Sequence, residues 1–466
     1  MRNGKPLSLP WKAAPAIMAL AWPTMLEQLM QTAVQYIDTA MVGTLGTQAT
    51  AAVGATSTVN WLIGSTISAV GVGFLSYVSQ ACGAGDREQV KKASAQTVLA
   101  VLICGIFFTA LTLGLSGLVP VWMQVDPSIQ DLASQYFFIL YCPMLARTAI
   151  ILFGTLLRSA GDSKTPMRVG ILVNLVNVVL NFLMIYPTRK VLFFTMPGLG
   201  MGVVGAAAAS AIAFVTGGVY MTVVLWRHEL VSPRGQSIRP DWRILKPCLR
   251  VALPNAFQRF GTSLGYVAFA AMINSLGNVA TAAHTIANTV ESAFYIPGYG
   301  MQTAAATLAG NALGARDDRR VRELARMILF IEVSLMIVSG ALLYLFAPNM
   351  MSLFSRDRQV IALGATVLRM VAVSEPFYGV SIIIEGMMQG MGKTVLPLVF
   401  SIGGMWGVRI VGTFICTQIL GYGLVSAWAC MIGHNLLLFA LYLICYLTGW
   451  WNPMAKMRKN PVKAGK

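Results

Sequence analysis

The sequence predicts an all-α integral membrane protein with 12 transmembrane helices, six in each of two similar halves. Three observations lead there. Of 466 residues, 56% are apolar and only 11% charged, with a mean hydropathy of +0.68, whereas a soluble domain carries about 25% charge. A body of this size lacks the interior to hide so much apolar surface, so part of its solvent is lipid. Secondly, long stretches carry no charge: between Asp38 and Asp86, Lys92 and Asp126, Arg168 and Arg189, Lys190 and Arg227, Arg259 and Glu291, and Arg409 and Lys456. Each holds at least one helix of about 20 residues, enough to cross the hydrocarbon. Thirdly, a shift of 231 residues superposes one half of the chain on the other.

The apolar runs place the spans in order. The first, 14–39, is interrupted by Glu27 and Asp38; the second and third, 54–79 and 94–117, carry no charge; the fourth, 134–157, holds Arg147. The fifth, 167–187, and the sixth, 201–226, flank Arg189 and Lys190. The seventh, 247–275, holds Arg259, the eighth, 282–310, Glu291, and the ninth, 324–347, Glu332. The tenth, 362–390, contains Arg369, Glu375 and Glu385; the eleventh, 395–418, contains Arg409; the twelfth, 424–450, is uncharged.

Charge sets the orientation. Net charge is +17, and of the 34 lysines and arginines 26 fall at the termini and even-numbered loops, against four, Arg189, Lys190, Arg356 and Arg358, on the opposite side. That imbalance places both termini in the cytoplasm and makes the basic excess a topology signal, with no nucleic-acid partner implied. The seven cysteines, with no CxxC pair, read as small buried hydrophobes in a reducing setting. The start lacks the short apolar core and small-residue cleavage site of a leader, so the first apolar segment is expected to stay as a helix.

The repeat carries Pro23 onto Pro254, Gly46 onto Gly277, Gly83-Ala84-Gly85-Asp86 onto Gly314-Ala315-Arg316-Asp317, Gly161 onto Gly392 and Pro166 onto Pro397. Gly200-Met201-Gly202 matches Gly421-Tyr422-Gly423 after a ten-residue deletion. Six spans per half make this a parallel repeat. The expected organisation is an N-terminal lobe, 1–230, a cytoplasmic interlobe linker, 231–246, and a C-terminal lobe with a basic tail, 247–466. Two such lobes around a cleft suit alternating access, with substrate near the bilayer midplane.

Ionisable groups inside spans are functional hypotheses by default, because each is costly in lipid. Asp38 stands out: Gln31, Gln35 and Asp38 follow i, i+4, i+7 spacing and share a helix face with room for a watery cleft. The alternative is an acid solvated at the helix end. Asn174, Asn177 and Asn181 form a second stripe in the fifth span. They either serve interhelical hydrogen bonds or supply amide groups beside a carboxylate. Glu332 and Glu375 admit structural roles. Arg147, Arg259 and Arg409 either pair with Glu27, Glu291 or Glu385 or line a site for an anionic group. His284 reads as a satisfied polar residue. No GxxxxGK[ST], HExxH or CxxC motif is present, so neither ATP-driven transport nor an enzyme activity is expected.

From about Pro23 to Gly433 the chain resembles the MATE (multidrug and toxic compound extrusion) transporters. The resemblance is carried by Asp38-Thr39-Ala40-Met41-Val42-Gly43, Gly83-Ala84-Gly85-Asp86, Arg158-Ser159-Ala160-Gly161-Asp162 and Gly198-Leu199-Gly200-Met201-Gly202-Val203-Val204-Gly205-Ala206-Ala207. In pattern it is nearest to the DinF/archaeal-type branch. The resemblance implies two six-helix lobes related by pseudo-twofold symmetry in a V, and efflux of lipophilic, often cationic, organic compounds driven by proton or sodium antiport. It implies an ion-coupling site at Asp38, Asn177, Asn181, Ala206 and Ser210, three of which the stripes single out independently. Thr262 and Tyr378 stand where the NorM-type branch has acids, which speaks against that branch's C-lobe cation site. Gln31, Gln35, Tyr36 and Asn174 are the candidates for substrate contact. Proton coupling goes through Asp38; a sodium ion at Asp38, Asn177 and Asn181 is the alternative. No cofactor is implied, and the expected setting is a bacterial-type inner (plasma) membrane, as a monomer. The competing reading is a lipid-linked saccharide flippase of the wider superfamily, favoured by the in-span arginines.

Overall fold

The computed structural model describes residues 11–455 apart from 124, 192 and 193. Arg2, Lys5 and the basic residues of the tail, part of the orientation count, lie outside the described residues. A 3-10 turn at Trp11–Ala13 leads into α1 (Ala14–Gly43), α2 (Thr47–Gly83) and α3 (Arg87–Leu115). After a short α4 (Val119–Trp122) come α5 (Gln130–Tyr141), α6 (Met144–Ser159) and α7 (Lys164–Met184). Two antiparallel strands, β1 (Pro187–Val191) and β2 (Phe194–Leu199), separate α7 from α8 (Gly202–Arg227). The second half runs through α9 (Trp242–Asn274), α10 (Asn278–Phe294), α11 (Ile296–Gly314), α12 (Asp318–Ser352) and α13 (Arg358–Gly390). Its next helix begins as α14 (Val395–Ile402), turns π-helical at Gly403–Ile410, regains α form in α15 (Val411–Phe414) and is again π-helical at Ile415–Ile419. α16 (Leu424–Thr448) completes the order.

Helices or runs of helical segments occupy all twelve expected spans, most overrunning them at one end or both because polar ends extend beyond the apolar run that the pattern detects, while the third, fifth and twelfth stop two or three residues short. Among the described residues, eight helices are long and apolar enough to cross a membrane, nine if the bent pair α5–α6 is one span. The fourth span is not one straight helix: α5 and α6 meet at 48° around Pro143, which removes a backbone donor and clashes with the preceding turn. The eighth is likewise divided into α10 and α11 at Tyr295, two residues before Pro297. Pro23, Pro348 and Pro376 sit inside continuous helices. The β1–β2 hairpin carries no alternating pattern of the kind that would announce it from sequence. α9 starts at Trp242, inside the stretch expected as linker. Ahead of it, buried Gln96 of α3 ties the connection down: its Nε2 donates to the Arg239 carbonyl at 2.8 Å and its Oε1 accepts from the Asp241 amide at 3.0 Å. All seven cysteines are free.

The chain forms two compact units. One comprises Leu26–Phe74 and Arg87–Pro247; the other comprises Met1–Met25, Leu75–Asp86 and Cys248–Lys466. The division does not follow the chain's midpoint, since the first turns of α1 and the last turns of α2 belong with the second half. Ile17 and Ala21 of α1 share an apolar core with Met301 and Ala305 of α11, Ile328 of α12 and Met387 of α13. The last turns of α2 cross α11 reciprocally. A Cβ on Gly83 would overlap the Asn311 carbonyl, and a Cβ on Gly314 would overlap the Gln80 carbonyl. Gln80 and Asn311, like Gly83 and Gly314, are repeat partners.

The repeat is visible in backbone and contacts alike. Left-handed φ values recur at paired positions: Gly46 and Gly277 (111° and 102°), Gly85 and Arg316 (74° and 55°), Gly161 and Gly392 (93° and 80°). Glu27 takes both carboxylate oxygens to Arg158 Nη2 at 2.7 and 2.6 Å. Their repeat partners, Gln258 and Gln389, both donate at 2.9 Å to Oε1 of Glu385. The same junction is thus built with an ion pair in one unit and with two amides around one acid in the other.

Because the obstructing atoms at the α2–α11 crossing are backbone carbonyls, Gly83→Ala and Gly314→Ala are each expected to destabilise by about 1–3 kcal/mol. Melting of the purified protein in detergent checks this, with Gly403→Ala, where a Cβ meets nothing within 4 Å, as the control.

Candidate functional site

Three helices of one unit build the site. α1 presents Asp38 five residues before its end, and α7 carries Asn174, Asn177 and Asn181 on one face, all buried. α8 opens with small residues, Gly205, Ala206, Ala207 and Ala209, so it lies against α7 closely enough that a Cβ on Gly205 would overlap the Met184 carbonyl. Backbones approach in this way where small side chains line a membrane-helix interface. Ser210, one turn further along α8, thereby reaches Asn177.

A continuous polar chain results. Asn181, 1% exposed, donates from Nδ2 to Asp38 Oδ1 at 2.6 Å and to Asn177 Oδ1 at 3.1 Å, while Asn177 Nδ2 donates to Ser210 Oγ at 2.9 Å. The Asn177 amide fits its neighbours best turned over: its nitrogen then donates to Asp38 Oδ1 at 2.9 Å and Oδ2 at 3.2 Å, and its oxygen accepts from the Ser210 hydroxyl at 2.9 Å.

Four of the five expected ion-coupling residues are joined by hydrogen bonds. The fifth, Ala206, is buried one turn before Ser210 and brings no polar side-chain group. The four candidates for substrate contact stand apart from that chain: Gln31, Gln35 and Tyr36 are exposed on α1, and Asn174 is buried with its Nδ2 unpartnered. Buried Tyr136 on α5 lies within electrostatic reach of both Asp38 and Arg147. Arg147 donates to Asn60 Oδ1, which also accepts from Tyr141 at 3.1 Å, and stacks 5.2 Å over Phe214. No sequence signal pointed to Tyr136 or Asn60, because isolated polar residues in apolar helices form no stripe. Among the described residues no three His, Cys, Asp or Glu side chains are grouped to hold a metal ion.

The MatE family model matches residues 23–183 and again 254–415. The chain belongs to the MatE family. The two matches begin one repeat length apart, so each half of this MatE chain carries its own match to the family model. A probable multidrug resistance protein NorM from Thermotoga maritima is 28% identical over 447 residues, covering 96% of this chain and 95% of that protein. Two solved structures share the fold. A crystal structure of MATE in complex with MaL6 has a TM-score of 0.87 and 24% identity over 95% of this chain and 97% of that one. An outward-facing multidrug resistance MATE family transporter of the MOP superfamily has a TM-score of 0.86 and 23% identity, over 94% and 96%.

The expected ion pairs among the MatE chain's in-span groups form differently. Glu27 pairs with Arg158, a residue counted from sequence as a loop cation, because α6 extends to Ser159 and carries that guanidinium into the bundle. Among the described residues, Arg147, Arg259 and Arg409 have no carboxylate within 4.0 Å; Arg259 donates instead to Asn255 at 2.9 Å. Glu291 accepts from the Tyr295 hydroxyl at 2.7 Å, and Glu332 is fully buried with neither oxygen hydrogen-bonded. His284 accepts from the Trp428 indole at 3.3 Å, a satisfied polar residue as expected.

Removing one partner of a buried pair strands the other charge. Glu27→Ala is therefore expected to lower stability by about 3–5 kcal/mol, and Glu27→Met with Arg158→Met together to recover most of it. Denaturation of the wild type and the two variants in one detergent reads the difference.

Proposed function

We propose that this multi-pass membrane protein is a secondary active efflux antiporter, exporting lipophilic or cationic organic compounds in exchange for protons taken up at Asp38. The observation that carries the reading is the chain Ser210–Asn177–Asn181–Asp38. A single carboxylate held by amides where α1 meets α7 is the chemistry a proton-coupled step needs. The name of the Thermotoga maritima relative, a probable multidrug resistance protein, supports the substrate class. Amide nitrogen, not oxygen, faces Asp38 from Asn181. A sodium ion prefers oxygen ligands, so sodium binding would require Asn181 to turn away from its present bond, and the proton is the better-supported coupling ion.

In the cycle we propose, drug leaves outward as protons enter by alternating access, in a bacterial inner membrane with both termini cytoplasmic and one chain as the working unit. Protonation of Asp38 removes its charge and weakens the amide hydrogen bond it accepts, which loosens the tie between α1 and α7. Gln31, Gln35, Tyr36 and Asn174 are assigned to substrate contact, and a straight-to-bent change of α1 at Pro23 is the associated movement.

Reconstituted wild type is expected to drive a fluorescent organic cation across liposomes under a pH gradient alone. Asp38→Asn should reduce that flux to the level of protein-free vesicles. Flux under a sodium gradient only would reassign the ion. Flux abolished by neutralising Arg147, Arg259 and Arg409, but untouched by Asp38→Asn, would move the protein to the flippase class.

A second expectation concerns Asn177. Asn177→Leu keeps the volume close but removes the amide from the chain between Asp38 and Ser210, so pH-driven flux is expected to fall while the protein still melts as a folded species. Full transport by Asn177→Leu would remove the amide from the mechanism.

A further inference from the structure

The repeat exposes a contrast between the two units. Shifted by 231 residues, Asp38 falls on Phe269, and Asn174, Asn177 and Asn181 fall on Met405, Val408 and Gly412. Nothing of the acid and amide chemistry survives at the equivalent place. What stands there is Arg409, whose guanidinium lies 4.2 Å over the Phe269 ring and 4.8 Å over the Tyr266 ring. It is 3% exposed. Among the described residues it has neither an ion pair nor a hydrogen bond, and its Nε is sealed off without a partner.

The backbone holds it there. Arg409 belongs to the π-helical stretch Gly403–Ile410, a widened helical form that recurs at functional sites. With the ladder widened to i→i+5, buried positions recur every four residues at Met405, Arg409, Thr413 and Thr417. Gly404 leaves room for the edge of His434, since a Cβ there would collide with the imidazole. His434 is buried with neither ring nitrogen bonded. His284, edge-on to Phe269 at 5.6 Å, accepts the Trp428 N–H at Nδ1, so its Nε2 is left to donate. Both imidazoles lie within the field of Arg409. Glu291 also lies within that field, yet more than 4.0 Å away, with Oε1 held by the Tyr295 hydroxyl.

Ring stacking engages the faces of a guanidinium and leaves its in-plane N–H groups wanting acceptors. We infer that the unit containing α9–α16 carries an anion-accepting site at Arg409, lined by Tyr266, Phe269, His284 and His434, for a carboxylate borne on an aromatic or lipophilic body. One guanidinium matches one carboxylate, and its paired N–H groups fit the two oxygens side by side. A single cation among apolar walls does not repay the dehydration of a doubly charged phosphate. Phe269 and Trp428 lie in the buried aromatic and aliphatic cluster of this unit, which favours an organic body over an inorganic anion. The site stands independently of the transport reading, and binding alone tests it.

The probe is 1-naphthoate, titrated calorimetrically into the full chain in detergent, with the uncharged 1-naphthylmethanol as comparison. Wild type is expected to bind naphthoate saturably and the alcohol only as empty micelles do. Arg409→Gln should weaken naphthoate by about ten- to hundredfold, the value of one charge-assisted contact, and Arg409→Lys should retain part of it. Asp38→Asn, which removes transport on the reading above, should still bind naphthoate, so the two proposals fail separately. Unchanged binding in Arg409→Gln, equal saturable binding of the alcohol, or no saturable binding by wild type would overturn the site and leave Arg409 a structural cation held by its rings. Should Arg409→Gln aggregate, the wild-type preference for naphthoate over the alcohol and its weakening in His284→Phe decide the matter.

Discussion

A charge inside hydrocarbon must be matched or neutralised, and that constraint organises this molecule more than any other. Translocon scales put a central Asp or Arg at about 2.5–3.5 kcal/mol, a substantial part of a domain's whole stability. Three solutions occur in the one chain. Glu27 and Arg158 cancel one another; Asp38 is met by amides that donate to it; Arg409 rests on aromatic faces. The first is closed and structural, because every formal charge in it is accounted for. The second and third leave a charge without a counter-ion, and those are the places where a proton or an anion has something to gain by arriving.

Duplication supplies the frame on which these solutions differ. The crossing of α2 and α11 is reciprocal because the same glycine faces the same carbonyl position in both copies. Polar positions had more freedom. The Glu27–Arg158 pair and the Gln258–Glu385–Gln389 cluster occupy equivalent places with the charge moved from one helix to another. The copies therefore share backbone geometry, which packing enforces strictly, and diverge in chemistry, which packing constrains only by volume. An acid site in one copy and an arginine at the corresponding place in the other follow from that freedom.

The amide of Asn177 sits between an acid and a hydroxyl and helps join α1, α7 and α8 in one hydrogen-bonded set. Close approach of α7 and α8 at Gly205 makes this possible, since a larger residue would hold Ser210 out of reach.

The family, the twelve helical spans and three of the four linked site residues could be read from the linear sequence. Each rests on a regular signal: uncharged runs of membrane length, a constant offset between Pro23 and Pro254, and amides at helical spacing on α7. Gln31 and Gln35 share a helix face with Asp38 and stand exposed outside its hydrogen-bonded set, because a face is wider than one cluster of bonds. What only the tertiary structure decided was pairing. That Glu27 takes Arg158 and not Arg147, that Tyr136 lies within electrostatic reach of Asp38, and that Arg409 finds rings in place of an acid all depend on helices distant in sequence. Periodicity records which way a residue points along its own helix. Which group meets it there is decided by the packing of the others.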